Sequence, residues 1–325
     1  MTAQQAIGAF ILNTALGFGL VANAQLVPYV ASPIYVNTAV TGGNGGNGSD
    51  ADCNTFATPN DGHVGKTPSD SSTSILTDVS KPDYESVAVI QSTGGTGGTG
   101  GDGKSCYSGR GGGDGGAGGS ITINNGSSTS APVLNVTTSA IIATSIGGQG
   151  GQGGGSGNTE GAGNGGSGGA GGAITINNYG AITTASNYET LFTALQAIKS
   201  SIEWLAFERS INLPEDAFDV PNVVFLGLYG VSQGGGGGGG GNDDGDIYGP
   251  AGDGSGGGVG GSVTLTNYGS ISTTKGYAML GLSVGGYGGD SGNSKGFVPS
   301  PNPSAGFGAS GGNVSLTNTS SGILQ

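Results

Sequence analysis

The feature that most constrains this chain is a ten-residue phrase that recurs four times. GGSITINNGS from Gly118, GGAITINNYG from Gly171, GGSVTLTNYG from Gly260 and GGNVSLTNTS from Gly311 align without gaps. Their first apolar residues, Ile121, Ile174, Val263 and Val314, follow one another at 53, 89 and 51 residues. The long spacing contains Asn187–Val223, a segment of different composition, so the unit is about 52 residues with one insertion. A single unit of that kind cannot bury its apolar face. Stacked copies can, which predicts a solenoid.

Each phrase alternates apolar and polar residues. Ile121/Ile123, Ile174/Ile176, Val263/Leu265 and Val314/Leu316 point one way, while Thr122, Thr175 and Thr264 point the other. Period-two alternation of β-branched residues predicts a half-buried strand. Four residues after the first apolar position stands an asparagine: Asn125, Asn178, Asn267 and Asn318. Asparagine suits a turn, and in a stack these four are expected to form a ladder. A second strand follows in Ala181–Thr184 and Ser270–Thr273. A third apolar segment closes each unit before the glycines: SVAVIQST from Ser86, AIIATSI from Ala140, VVFLGLYGVSQ from Val223 and AMLGLSV from Ala278. Gly322-Ile323-Leu324-Gln325 reads as the start of another such third segment.

Of the 325 residues 76 are glycine, and the net charge is −13. An ordinary helical domain is excluded, because each glycine inside a helix costs about 1 kcal/mol relative to alanine. With 8 Lys+Arg against 21 Asp+Glu, nucleic-acid phosphates are repelled, so no nucleic-acid partner is expected. Collagen is excluded because glycine does not recur at every third residue throughout. The patterned strands argue against a disordered chain. The long tracts, such as Gly234–Gly241, are expected to project as Gly-rich loops or to pack as extended backbone. Side-by-side polyglycine helices are compatible with the tracts but not with the ITIN strands.

Residues 1–24 read as a secretory signal peptide. Ile7–Ala22 is apolar, and Ala22-Asn23-Ala24 gives an A-x-A cleavage pattern. Its positive n-region is missing, since the first basic residue is Lys66. Residues 25–85 are expected to be an irregular capping region and 86–325 the solenoid. Within the insertion, Leu191, Leu195, Ile198, Ile202 and Leu205 recur at helical spacing after a Ser186/Glu189 capping box, which predicts a helix. It carries Trp204, the chain's one tryptophan. Export would permit a Cys53–Cys106 disulfide; two free thiols are the alternative.

Candidate chemistry is sparse. GHVGKT at Gly62–Thr67 resembles the end of a phosphate-binding loop, but Asn60 stands where its first glycine should be and Pro68 where its helix should begin. GGNDDGDIYG at Gly240–Gly249 resembles one turn of a calcium-binding repeat, with Asp243, Asp244 and Asp246 as weak oxygen ligands. It lacks the aspartate at Gly245 and the tandem copies such a site needs. One histidine and two cysteines supply a catalytic triad or a zinc site poorly. No enzymatic activity and no cofactor are expected. A solenoid glycan lyase or hydrolase and a calcium-stabilised extracellular repeat protein are the alternatives. Ice binding through the outward threonines is the weaker explanation, since threonine is also a good strand former.

The order GGxITINNYGxITT, an apolar segment, then SIGGxGG resembles the passenger repeats of large bacterial autotransporter proteins of the outer membrane β-barrel family. Gly171–Thr184 and Ala143–Gly148 carry the closest likeness, which covers Ser86–Gln325 without the insertion. The resemblance implies an all-β fold, a right-handed parallel β-helix with Gly-rich loops and one helical insertion. It implies display at the bacterial cell surface, associated with the outer membrane, and an adhesive role. Host or bacterial surface glycans, surface proteins or self-association would be the contacts. It also implies a C-terminal β-barrel translocator in the full-length protein. No barrel strands are found in this sequence, and a fragment of a longer gene is the economical explanation.

Overall fold

The computed structural model describes residues 8–11, 34–51, 58–80, 86–104, 107–136, 139–157, 161–184, 225–245, 249–273, 276–295 and 303–325. All regular structure among these residues is strand. After β1 (Gly8–Ile11) the strands come in successive triplets, one triplet to a coil. The first coil holds β2 (Ile34–Thr41), β3 (Ser71–Ile75) and β4 (Val79–Ser80). The second holds β5 (Ser86–Thr93), β6 (Ile121–Asn125) and β7 (Val133–Val136). The third holds β8 (Ile141–Ile146), β9 (Ile174–Asn178) and β10 (Ala181–Thr184). The fourth holds β11 (Phe225–Gln233), β12 (Val263–Asn267) and β13 (Ser270–Thr273), and the fifth β14 (Gly276–Val284), β15 (Val314–Asn318) and β16 (Ile323–Leu324).

Every coil contributes one strand to each of three parallel sheets. Sheet 1 runs β15-β12-β9-β6-β3, sheet 2 runs β16-β13-β10-β7-β4, and sheet 3 runs β1-β14-β11-β8-β5-β2. This is the arrangement of a parallel β-helix. The repeated phrase is sheet 1, and its copies stack in register: Ile121 on Ile174, Ile174 on Val263, Val263 on Val314. The inward residues of all three sheets meet in one core, where Ile121, Ile123, Ile174, Ile176, Val263 and Leu265 are wholly buried beside Leu134, Ile182 and Ile271. Val314 and Leu316 pack against the same core and are partly buried. Gly230 and Gly281 of sheet 3 face the inward side chains of sheet 1 at close range. A Cβ at Gly230 would lie 2.9 Å from Val263 Cγ1, and one at Gly281 2.9 Å from Val314 Cγ1.

The sheets differ on their outer faces. Sheet 1 turns half-exposed Thr122, Thr175 and Thr264 outward, whereas sheet 3 is buried on both faces along its middle strands β5, β8 and β11. Its outward Val89, Ile142, Leu226, Tyr229 and Val231 form a second apolar cluster, none more than 4% exposed. Burial pushes the Tyr229 hydroxyl pKa well above the ordinary tyrosine range.

Two expectations change. The region 25–85, expected to be irregular, contains the whole first coil: β2 pairs with β5, β3 with β6 and β4 with β7. Its strands SSTSI and VS lack the apolar phrase, so the alternation that marks later coils is missing there. Gly322–Gln325 is not a third segment, because Ile323 and Leu324 pair with Ser270 and Ile271 in sheet 2. The glycine tracts take the second of their two expected forms, extended backbone packed in hydrogen-bonded legs. Within the expected signal peptide only β1 is described, paired in parallel with Leu280–Ser283 of β14. The helix expected within the insertion Asn187–Val223, and Cys53 and Cys106, lie outside the described residues.

Candidate functional site

Between sheet 3 and sheet 1 each coil sends out a glycine-rich leg and brings back another, and these legs stack into a two-layer slab. Its hydrogen bonds repeat every third residue. In the third coil Gly147, Gly150 and Gly153 donate to Gln233, Gly236 and Gly239 of the next outgoing leg at 2.8, 2.9 and 2.9 Å. The following residues, Gly148, Gly151 and Gly154, donate to Gly116, Gly113 and Arg110 of the neighbouring returning leg at 2.8, 2.7 and 2.7 Å. Consecutive residues thus point about a third of a turn apart, the threefold geometry of polyproline II. At about 3.1 Å per residue the ten-residue leg 42–51 reaches roughly 30 Å.

Glycine is required by close approach. A Cβ at Gly151 would lie 2.0 Å from the Gly98 carbonyl oxygen, and one at Gly166 2.1 Å from that of Gly113. Two residues of each triplet face other legs, and where glycine stands there, as at Gly98, Gly151 and Gly166, there is no room for a side chain. The third faces solvent, so Thr96, Thr99 and Asp102 are exposed while Gly98, Gly100 and Gly101 between them are buried. This produces the local pattern Gly-Gly-X inside tracts whose overall glycine spacing is irregular.

The third position also satisfies backbone. Asn44 and Asn47 Oδ1 accept from the Thr96 and Thr99 amides, both at 3.1 Å. Aspartates do the same with a charged acceptor: Asp102 from Gly155 at 2.7 Å, Asp114 from Ser167 at 2.7 Å, Asp61 from Gly111 at 3.0 Å and Asp253 from Ser304 at 2.6 Å. Much of the acidity of the chain is therefore spread over both slab faces as rungs between coils.

A serine column latches strands to slab. Ser145 Oγ donates to Gly119 O at 2.9 Å and accepts from Gly172 N at 2.9 Å. Ser232 and Ser283 repeat this with Gly172/Gly261 and Gly261/Gly312. The asparagine ladder runs parallel to it. Asn125 Nδ2 donates to Asn178 Oδ1, Asn178 to Asn267 and Asn267 to Asn318, at 2.7, 2.7 and 2.8 Å. It stops where Ile75 pairs with Asn125, which leaves the buried Asn125 Oδ1 without a hydrogen-bond partner.

GHVGKT is a returning leg rather than a phosphate loop. The Gly62, His63, Gly65 and Lys66 amides are bonded to Gly111, Gly46, Asp114 and Gly43 carbonyls. The two described aspartates of the acidic loop serve different ends. Asp243 is wholly buried, and its Oδ1 accepts from Ser156 Oγ at 3.0 Å and Gly245 N at 3.1 Å. Asp244 is exposed and pairs with Lys295 at 2.7 Å. Asp246 lies outside the described residues, among which no group of three or more His, Cys, Asp or Glu could hold a metal ion.

Besides exposed Phe307 on the returning layer, two aromatic features stand out. Tyr179 and Tyr268, just after the ladder asparagines, stack face to face with centroids 4.6 Å apart. Tyr287 occupies a third position of the slab, where its ring covers Gly236 and its hydroxyl accepts from Gln149 Nε2 at 3.1 Å. Burial, and then the nearby Asp290 charge, raises the pKa of that hydroxyl.

No family model, curated protein or solved structure matches the chain. The slab rungs and the serine column went unread in the sequence. Their signals are the Gly-Gly-X triplets GGNGGN, GGTGGT and GGQGGQ and the serine two residues before four of the outgoing tracts, Ser92, Ser145, Ser232 and Ser283.

Proposed function

We propose that this chain is an exported structural and adhesive module of a bacterial surface protein, built as a right-handed parallel β-helix of the kind seen in autotransporter passengers. The observation that carries the reading is the slab. It sets exposed amide, hydroxyl and carboxylate groups at fixed positions on a hydrogen-bonded backbone roughly 30 Å deep. Repeated polar groups on a rigid support suit weak contacts that gain strength by number. The resemblance of the repeats to those passengers supports the location. Beads coated with the full chain should be retained on bacterial or host-cell surfaces under flow, well above beads coated with an inert protein. Equal retention would refute adhesion.

The spacing of Leu191, Leu195, Ile198, Ile202 and Leu205 is the one support for a helix within the insertion Asn187–Val223 that packs on the solenoid. Trp204 reports on it: its emission should be blue-shifted in the folded chain, and emission like that of the unfolded chain would refute the packing.

One observation favours the calcium-stabilised alternative. Oδ2 of buried Asp243 has no hydrogen-bond partner, and a hard cation is one way to satisfy it. A melting temperature unaltered by chelator would rule this out.

A further inference from the structure

We infer that Tyr287 is the floor of a saccharide subsite on the outgoing layer of the slab, and that its ligand is a neutral sugar chain. The inference rests on the adhesive reading and names a ligand class for it.

Tyr287 belongs to a column of third-position residues, Asn44, Thr96, Gln149, Gly236 and Tyr287, one from each coil. Gly236 is the one member without a side chain, and the tyrosine of the next coil lies over it. A Cβ at Gly236 would stand 2.4, 2.6 and 2.8 Å from Cζ, Cε2 and Cε1 of the ring. The near equality of these distances puts Gly236 beneath the ring's face rather than at its edge. One coil further back, Gln149 holds the hydroxyl at 3.1 Å. Three successive coils thus cooperate to lay one aromatic ring flat on an otherwise polar surface, with Gly236 buried beneath it and Tyr287 half-buried.

The next column outward reads Asn47, Thr99, Gln152, Gly239 and Asp290. At Gly239 the place is empty: the nearest heavy atom to a Cβ there would be the Asp290 carbonyl oxygen, 3.5 Å away. This leaves a shallow hollow about 9 Å from the ring, one threefold turn along the leg, with exposed Gln152 and Asp290 on either side.

A flat ring beside a polar hollow matches the two faces of a sugar. The C–H face of a pyranose carries slight positive charge and packs on the negative face of an aromatic ring. Its hydroxyls need the amide and carboxylate groups that Gln152 and Asp290 offer. A span of about 9 Å suits alternate sugar units of one chain. Asp290 and the net charge of −13 repel uronic or sialic acids, which selects neutral chains. The other aromatic pair does not compete, because Tyr179 and Tyr268 turn a face each to one another.

The test is saturation-transfer NMR of the full chain with cellotetraose, maltotetraose and chitotetraose, and with tetragalacturonate as the anionic probe. At least one neutral probe should receive saturation with Kd of about 1 mM, and tetragalacturonate none. Tyr287→Ala should abolish the transfer. Gly236→Ser keeps the tyrosine but lifts its ring, and should weaken binding about tenfold. Tyr268→Ala should change nothing. The subsite is overturned if no neutral probe is saturated, or if binding survives Tyr287→Ala in a chain that melts like the parent. Bead retention that persists in Tyr287→Ala would sink the subsite while leaving adhesion standing.

Discussion

In the strand core, Ile121, Ile174 and Val263 stack in register and fill the space between three sheets with side chains. In the slab, Gly98, Gly151 and Gly238 stack in the same order from the same coils and fill the space with backbone, each Cβ position lying within 2.0 Å of a neighbouring carbonyl oxygen. One chain thus builds two interiors. The first is held by apolar burial and tolerates neighbours at strand spacing. The second buries almost no apolar side chain. It depends on each buried amide finding a carbonyl, at a net gain of about 1 kcal/mol or so per bond. Strand repeats can diverge as long as their inward residues stay apolar. Slab repeats vary chiefly at the third position, with Arg110 and Ser255 as exceptions at inner ones.

The comparison can be broken from either side. Ile176→Ala leaves a cavity in the wholly buried core and should cost about 3–4 kcal/mol, read as a lower midpoint of denaturant unfolding. Ser145→Ala removes both bonds of the latch between strands and slab and strands the buried Gly172 amide. Its cost should be about 2 kcal/mol, and a loss below about 0.5 kcal/mol would mean the two regions are not coupled there.

Smaller still is an alkaline effect on sheet 3. Burial raises the Tyr229 pKa in the folded chain, while in the unfolded chain it ionises near its ordinary value of about 10. The unfolded state then releases a proton that the folded state keeps, so this contribution is whole below about pH 10 and is lost as pH rises above it. Tyr229→Phe should flatten that alkaline fall in melting temperature, and an identical profile would show that Tyr229 is not the group responsible.

The strand core was largely legible in sequence, because apolar side chains in period two and four aligned asparagines record which way each residue faces. The first coil was not, since Ser71–Ile75 and Val79–Ser80 carry little apolar pattern and Ile75 stands where later coils have asparagine. Ile323 and Leu324 were assigned to the wrong strand because two apolar residues fit either segment; only their pairing with Ser270 and Ile271 decides. In the slab, glycine offers no hydropathy to read. The information lies in what interrupts it: Asn44 and Asn47, Thr96 and Thr99, Gln149 and Gln152, three residues apart. Tyr287 was invisible for a related reason. Its place over Gly236 depends on residues from three coils, which no local pattern connects.

The most direct test of the slab as a close-packed interior uses two adjacent glycines. A Cβ at Gly238 would lie 2.0 Å from the Gly151 carbonyl oxygen, whereas one at Gly239 meets nothing nearer than 3.5 Å. Thermal unfolding of Gly238→Ala and Gly239→Ala, each in the full chain, should therefore split. Gly238→Ala is expected to lose about 2–3 kcal/mol by overpacking. Gly239→Ala should stay within about 0.5 kcal/mol of the parent or gain slightly, because alanine restricts the unfolded chain more than glycine does. Equal, small effects at both positions would mean that the legs are not packed backbone against backbone, and the account of the slab would fail.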